Sequence, residues 1–405
     1  MIRRHRAARQ ESALPSPFDA ILAGRIAFGA GRLERLDREL AALVGTGAAV
    51  LLVSDRGLAA AGVLARAEAA LATGGFAVAS FSELAGEPAA DDVDRVAAAA
   101  HRCGAEAIVG IGGGSVLDAA KLAACAAATG RKAMDYALMA TPLPEKRPVI
   151  VLAPTTAGTG SEMTRTAVFA DPRGRKLWAW GDALRADLAL LDPALTTALP
   201  RGLTVATGVD ALVHAIEAAT VRRADPIATG FALEAIRLVA RTLPRAASAP
   251  EDLEARGAML VAASLAGLAI DQSGTGIAHA IGHALGSIAK VHHGRAVGLS
   301  LRAALAWNAE AAVASHAAVA QALGAGNGGR GERALAEAAA PAYADLLERV
   351  SLPLSLADHG LSAGDAERLV AASLGEENAP MRENNARKVA RADLERLAAA
   401  VLSAR

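Results

Sequence analysis

Near Pro200 the hydrophobic pattern of this chain changes its period, and that change limits the folds open to it. Upstream, short apolar runs alternate with stretches of helical length. FGAGRLERL, from Phe28, suggests a strand and turn entering a helix. Ala48 to Val53, Phe76 to Phe81, the run AEAIVGI and the run VIVLAP have the length of buried strands. Leu58 to Leu71 and Val93 to Cys103 lie between them as helices. Such alternation implies right-handed crossovers and a mostly parallel sheet. From Leu188 onward the periodicity is helical with no convincing strand, through Ala211 to Arg222, Ala228 to Arg241 and Leu253 to Ile270. GAGNGGRGE, 324 to 332, is a loop between helices. At 405 residues the chain exceeds what one hydrophobic core sustains, so two domains are expected. They are an α/β domain over 21–200 and an all-α domain over 201–405, preceded by a disordered basic tail over 1–20.

Charge excludes some functions. The 42 basic residues balance the 42 acidic ones, and no long basic run occurs in the body of the chain. A nucleic-acid binder or anionic-membrane binder would need that excess, so a small-molecule partner is expected, with no nucleic acid and no membrane. No uninterrupted apolar run reaches the 18 or so residues of a membrane span, and a soluble protein is expected. Cys103 and Cys125 are the only cysteines and lack CxxC spacing, which suits a reducing cytoplasm. MIRRHRAARQ, followed by ESALPSPF, has no apolar segment behind it to form a secretory signal. An arginine-rich transit peptide is the alternative reading of that tail.

Five of the nine histidines fall between Thr207 and His293. Asp210 and His214 in TGVDALVHAIEA are four residues apart, so on a helix both project from one face. His279 and His283 in GIAHAIGHALG repeat the interval, and His292 and His293 follow at an apparent turn. Taken singly, each is an ordinary polar residue on an alanine-rich helix. Together, a carboxylate and three imidazoles suit a divalent transition ion, Fe²⁺ or Zn²⁺, better than the oxygen-seeking Mg²⁺ or Ca²⁺.

A second group lies upstream. Gly112, Gly113 and Gly114 follow a buried strand and open a helix near Ser115, where backbone N–H groups can approach a diphosphate. A structural tight turn would use the same glycines. Asp55 ends another strand, where a carboxylate can accept from a ribose hydroxyl and would repel the 2′-phosphate of NADP, favouring NAD. It precedes the glycines instead of following them by about 20 residues, so the unit is not an ordinary Rossmann fingerprint. Thr155, Thr156, Thr159 and Ser161 offer hydroxyls on the loop after VIVLAP, for a ligand or for local backbone groups.

The segments GGGSVLDAAK, APTTAGTGSEMT, TGVDALVHAIEA and AHAIGHALG, in this order and separation, resemble the iron-containing, group III alcohol dehydrogenase family from about Phe28 to Leu402. The resemblance implies a dinucleotide-binding α/β domain, a helical metal-binding domain and a metal between them, the architecture shared with dehydroquinate synthase. It makes Asp210, His214, His279 and His293 the ligands of Fe²⁺, with Zn²⁺ as the alternative, and His283 an unligated proton relay. It places the cofactor, NAD before NADP, on Asp55, Gly113, Gly114, Ser115, Asp118, Thr155, Thr156, Thr159 and Lys176. Glu217 is either a helix-surface carboxylate or a support behind a ligand. The expected activity is hydride transfer between NAD(H) and a small alcohol, aldehyde or ketone, in a cytoplasmic homo-oligomer, with a dimer the first expectation. Alternatives are a maleylacetate reductase or hydroxyacid dehydrogenase acting on an oxoacid, or a lyase of the dehydroquinate synthase type. Departures from the family pattern are GEPAADD at 86–92, His292 before the last ligand, RENNARKVARADL from Arg382, and the unassigned Trp178 and Trp180.

Overall fold

The computed structural model describes residues 24–326 and 328–404, so the basic tail over 1–20 lies outside the described residues. Strands β1 (Arg25–Phe28), β2 (Ala49–Asp55), β3 (Ala77–Leu84), β4 (Ala107–Gly112), β5 (Val149–Pro154) and β8 (Leu188–Leu191) form one parallel sheet. β6 (Thr166–Ala170) and β7 (Lys176–Trp180) form a separate antiparallel hairpin. Helices α1 (Leu36–Val44), α2 (Arg56–Ala60), α3 (Val63–Thr73), α4 (Ala90–Arg102) and α5 (Gly114–Thr129) provide the crossovers. Two apolar cores lie on opposite faces of the sheet, one built on α4 and α5 and the other on α1 and α3.

The sheet order is β1-β8-β5-β4-β2-β3, so the chain runs outward from β2 to β3 and then returns to β2's other side as β4. That reversal is a topological switch point, and ligands of open parallel sheets bind at the carboxyl ends of the strands flanking it. Asp55 and Gly112 end those two strands.

Three expectations need correction. Leu188–Leu191 is not helical: it is a strand seated between β1 and β5 with all four residues buried. Its run LALL is too short to show a period, so buried strand and buried helix look alike in sequence. The helix read from Leu58 to Leu71 is two helices, broken where Gly62 takes a left-handed conformation (φ 77°). The helix read from Ala211 starts ten residues earlier.

That helix is α6 (Arg201–Thr220), followed by α7 (Pro226–Ser248), α8 (Leu253–Ser273), α9 (Ile277–Ala289) and α10 (His293–Ala309); shorter helices continue to Leu402. Every residue of α6 from Thr204 to Thr220 is buried, which erases the polar face by which a helix start is recognised. α8 is long and apolar enough to cross a membrane, with a mean hydropathy of 1.5, but 67% of that window is buried inside the protein. It is a core helix, packed on α6 and α7.

The loop after β5 joins the two halves. Gly160 meets Gly267 of α8 backbone to backbone, and Ser264 Oγ donates to Glu162 at 2.8 Å. Arg165 donates from its backbone N and from Nε to the Asp271 carboxylate, both at 2.8 Å. The pair is nearly inaccessible, and removing one partner of such a pair costs about 3–5 kcal/mol. The two tryptophans belong to this junction. Trp178 Nε1 donates to the Glu377 carbonyl at 3.3 Å, and Trp180 lies under the Arg165 guanidinium at 4.8 Å.

Candidate functional site

Asp210 and His214 sit one turn apart on α6, both buried. α9 brings His279 alongside, its ring stacked on His214 with centroids 4.6 Å apart. α10 begins at His293 and is pressed against α6: a Cβ at Gly294 would lie 2.0 Å from the Ala206 carbonyl oxygen. This approach carries His293 Nε2 to 3.5 Å from Asp210 Oδ1. Asp210, His214, His279 and His293 each offer a ligand atom, and these atoms all lie within 4.8 Å of one another. His292, the exposed N-cap of α10, is outside the group.

The donor set fits a divalent ion on grounds independent of spacing. Asp210 Oδ1, His214 Nδ1, His279 Nε2 and His293 Nδ1 are buried without a hydrogen-bond partner, and they make up four of the seven such side-chain atoms among the described residues. Orphaned buried polar atoms are rare and destabilising, and four of them on residues whose ligand atoms gather within 4.8 Å are explained by a cation. Burial pushes His214 down and His293 well down from the ordinary imidazole value, so both rings are neutral and have a lone pair to give.

The remaining ring atoms are held from behind. Glu217 Oε2 lies 2.6 Å from His279 Nδ1, while the same carboxylate accepts from the backbone of Gly276 at 2.8 Å and Ala278 at 2.7 Å. Nδ1 therefore carries the proton and Nε2 faces the cluster, the usual arrangement behind a metal-ligating histidine. Glu217 is buried, which removes its helix-surface reading. Gly158, in the loop after β5, packs on α6, since a Cβ there would lie 2.7 Å from Thr207 Cβ.

RENNARKV, which departs from the family pattern, also supports α9. Asn384 Nδ2 donates to the carbonyls of Ser273 at 2.7 Å and Thr275 at 3.0 Å, just ahead of that helix. Asn385 exchanges bonds with Asn308 at 2.9 and 3.1 Å and accepts from the Ile277 backbone at 3.4 Å. His283, one turn after His279, has its ring centroid 6.0 Å from that of His279 and 5.3 Å from that of His293. It is partly exposed, and burial followed by the nearby Lys176 charge holds it well below the ordinary imidazole value.

The upstream group gathers at the sheet's carboxyl edge. Asp55 closes β2, Gly112–Gly114 link β4 to α5, and Thr155 donates from its backbone to the Gly112 carbonyl at 2.9 Å. A Cβ at Gly114 would lie 2.6 Å from Thr159 Cγ2, and one at Gly113 3.5 Å from Thr156 Cγ2, so the threonine loop lies directly over the glycine turn. Gly113 caps α5 without a side-chain bond, leaving the first N–H groups, Ser115 among them, free for an anion. Asp55 already accepts from Leu58 N at 2.9 Å as the cap of α2, through one carboxylate oxygen.

Asp118 and Lys176 stand differently. Both Asp118 oxygens are engaged within the protein, by Ser161 Oγ at 2.5 Å and by Val168 N at 3.1 Å, with Lys121 Nζ 2.9 Å away. Lys176 opens β7 in the hairpin, with its ammonium 2.9 Å from Glu87 Oε1 on the loop after β3. Sequence reasoning assigned no role to Lys121, Glu162 or Arg165, which anchor the threonine loop; the first two lie inside the motifs GGGSVLDAAK and APTTAGTGSEMT. Lys121 is fully buried and donates to the carbonyls of Ser161, at 3.0 Å, and Thr166. Glu162, raised by burial, takes its bond from Ser264.

Comparison with known proteins places both halves. A family model described as iron-containing alcohol dehydrogenase matches residues 23–193, and one described as the C-terminal domain of the Fe-containing alcohol dehydrogenase family matches residues 204–402. The chain is 34% identical over 320 residues to the NAD-dependent methanol dehydrogenase of Bacillus methanolicus, covering 79% of this chain and 84% of that one. It is 34% identical to the sulfoacetaldehyde reductase of Bilophila wadsworthia, covering 84% and 88%. A crystal structure of a 1,3-propanediol oxidoreductase superposes with a TM-score of 0.88 at 31% identity, covering 94% of this chain and 99% of that one.

Proposed function

This chain belongs to the iron-containing alcohol dehydrogenase family, and from that premise we propose that it moves hydride between NAD(H) and a small alcohol or its carbonyl counterpart at the cleft between the two halves. One observation carries the reading: a single loop serves both groups. Thr156 and Thr159 lie over the glycine turn, and Gly158 between them packs on α6, where a Cβ would lie 2.8 Å from the carbonyl oxygen of Thr207, three residues before Asp210.

In this reading Asp210, His214, His279 and His293 hold the divalent ion, Fe²⁺ or Zn²⁺, and Glu217 fixes the tautomer of His279. The turn Gly113–Gly114, the N-terminus of α5 at Ser115 and the hydroxyls of Thr155, Thr156 and Thr159 receive the cofactor diphosphate, and Asp55 its adenosine ribose. Asp118 supports the loop from beneath. When bound, the ion supplies a Lewis acid for the substrate oxygen and the nicotinamide accepts or returns the hydride. His283, neutral and beside the ligand cluster, is placed to take the hydroxyl proton on its imidazole and pass it toward solvent. The two cysteines are unpaired, in keeping with a cytoplasmic enzyme, and a homo-oligomer is the assembly proposed.

A screen of alcohols, aldehydes and oxoacids on Fe²⁺- and Zn²⁺-reconstituted protein, following reduced nicotinamide with NAD and NADP in parallel, tests this directly. Absence of net nicotinamide turnover with every compound refutes it. For His283→Ala we expect turnover to fall by about 10²–10⁴-fold with full metal content. Loss of the ion instead would make His283 a ligand and not a relay.

A further inference from the structure

Lys176 packs on the helix that carries His279 and His283. Its stem lies against α9, since a Cβ at Gly286 would be 3.2 Å from Lys176 Cε and 3.6 Å from Nζ. Gly286 is three residues past His283, hence on a neighbouring turn of the same helix face.

Three other cations at the junction are matched within the fold, Lys121 by Asp118, Arg165 by Asp271 and Arg295 by Asp358, while Lys290 stands exposed at the end of α9. Lys176 is matched by Glu87, which comes from the rim. Glu87 lies on the loop between β3 and α4, with its side chain 34% exposed against 11% for Lys176. One partly exposed carboxylate therefore decides whether the cleft presents a free positive charge beside the ligand cluster.

We propose that Glu87 determines substrate class: by neutralising Lys176 it keeps the substrate end of the cleft without an unpaired cation, selecting uncharged alcohols and aldehydes over those bearing a carboxylate or sulfonate. The proposal rests on the dehydrogenase reading and specifies its substrate. An anionic substrate must displace the Glu87 carboxylate from the ammonium, exchanging one ion pair for another of similar strength. An uncharged hydroxyl compound meets no such competition. Replacing Glu87 by glutamine keeps the shape of the rim and uncovers the ammonium, so a substrate anion gains a partner at no loss elsewhere.

The test compares 1,4-butanediol with 4-hydroxybutanoate, which differ mainly in a terminal hydroxymethyl against a carboxylate. Wild type, Glu87→Gln, Glu87→Asp and the double variant Glu87→Gln/Lys176→Met are assayed for kcat/KM on both. Calorimetry follows binding of unreactive butanoate to each protein with NADH, and NADH affinity is measured by fluorescence. We expect Glu87→Gln to raise the preference for the anion and the affinity for butanoate about tenfold, the scale of one unscreened charge at a partly buried site. Glu87→Asp keeps the wild-type ratio, and the double variant returns to it. An unchanged ratio in Glu87→Gln, an equal rise in the double variant, or a change confined to NADH affinity overturns the proposal. Should wild type oxidise neither compound nor any other alcohol, the dehydrogenase reading fails, while butanoate binding still tests the charge compensation by itself.

Discussion

The two walls of the cleft are made of opposite materials. At the sheet edge the work falls to glycines, threonines and backbone N–H groups, and no hydroxyl of Thr155, Thr156 or Thr159 is among the buried orphaned side-chain atoms. Across from it, on α6, α9 and α10, a carboxylate and three imidazoles are buried with a free atom each. The edge is complete by itself, because its shape comes from strand order and from the absence of Cβ atoms. The helical wall is complete only around a cation. Metal and cofactor should therefore be separable, with the threonine loop, which packs on both the glycine turn and α6, as the route of coupling.

Removing the ion breaks that comparison most severely. With a chelator, turnover should fall by at least about a thousandfold, the several kcal/mol of charge stabilisation an ion supplies. Thermal stability should drop too, since an ion present at about 100 times its dissociation constant adds about 2.7 kcal/mol. NADH affinity should change less than about threefold. Acid sharpens the point: His214 and His293 sit below the ordinary imidazole value in the fold, so the unfolded chain takes up protons first. The ion-free protein should thus keep its stability above about pH 6.5 and lose it as pH falls below that value. Metal analysis, calorimetry and NADH fluorescence check each statement. A collapse of NADH binding in step with metal loss would show that the walls are not independent.

Gly114→Ala attacks the other wall. Its Cβ must push Thr159 Cγ2 away from 2.6 Å, lifting the threonine loop off the glycine turn where the diphosphate would lie. NADH should bind about tenfold more weakly, a loss of about 1.4 kcal/mol, with a full complement of ion. Lost metal content instead would mean that the displacement travels through Gly158 to α6.

How much of this is legible in the sequence follows the same division. Side-chain chemistry at helical spacing is visible, so Asp210 and His214, and His279 and His283, stand out by their four-residue intervals alone. Strand alternation is visible as well, and it yields the parallel sheet and its glycine turn. What stays hidden depends on burial from all sides. LALL at Leu188–Leu191 and the residues of α6 from Thr204 onward show no periodicity because every face is covered. Glu217 reads as a surface or supporting residue until the fold places it 2.6 Å from His279 Nδ1. Lys121, Glu162 and Arg165 are hidden for another reason. The partners through which they anchor the loop, the Ser161 carbonyl, Ser264 and Asp271, lie 40 or more residues away, and their adjacency is not encoded by local sequence.

The smallest expected effect separates two roles in one side chain. Asp55 caps α2 through Oδ1 and, in the proposed cofactor placement, has its carboxylate at the adenosine ribose. Asp55→Ala would confuse the two, because loss of a cap alone costs about 1 kcal/mol. Asn is an equally good N-cap, so Asp55→Asn should leave thermal stability within a few tenths of a kcal/mol and remove only the negative charge. That charge is what would disfavour the 2′-phosphate of NADP. At a partly exposed position one charge pair is worth about 1 kcal/mol, so the NAD over NADP preference in kcat/KM should narrow about fivefold, and less at high salt. If the ratio does not move, Asp55 serves α2 alone, and the discrimination between the two cofactors must come from elsewhere along the sheet edge.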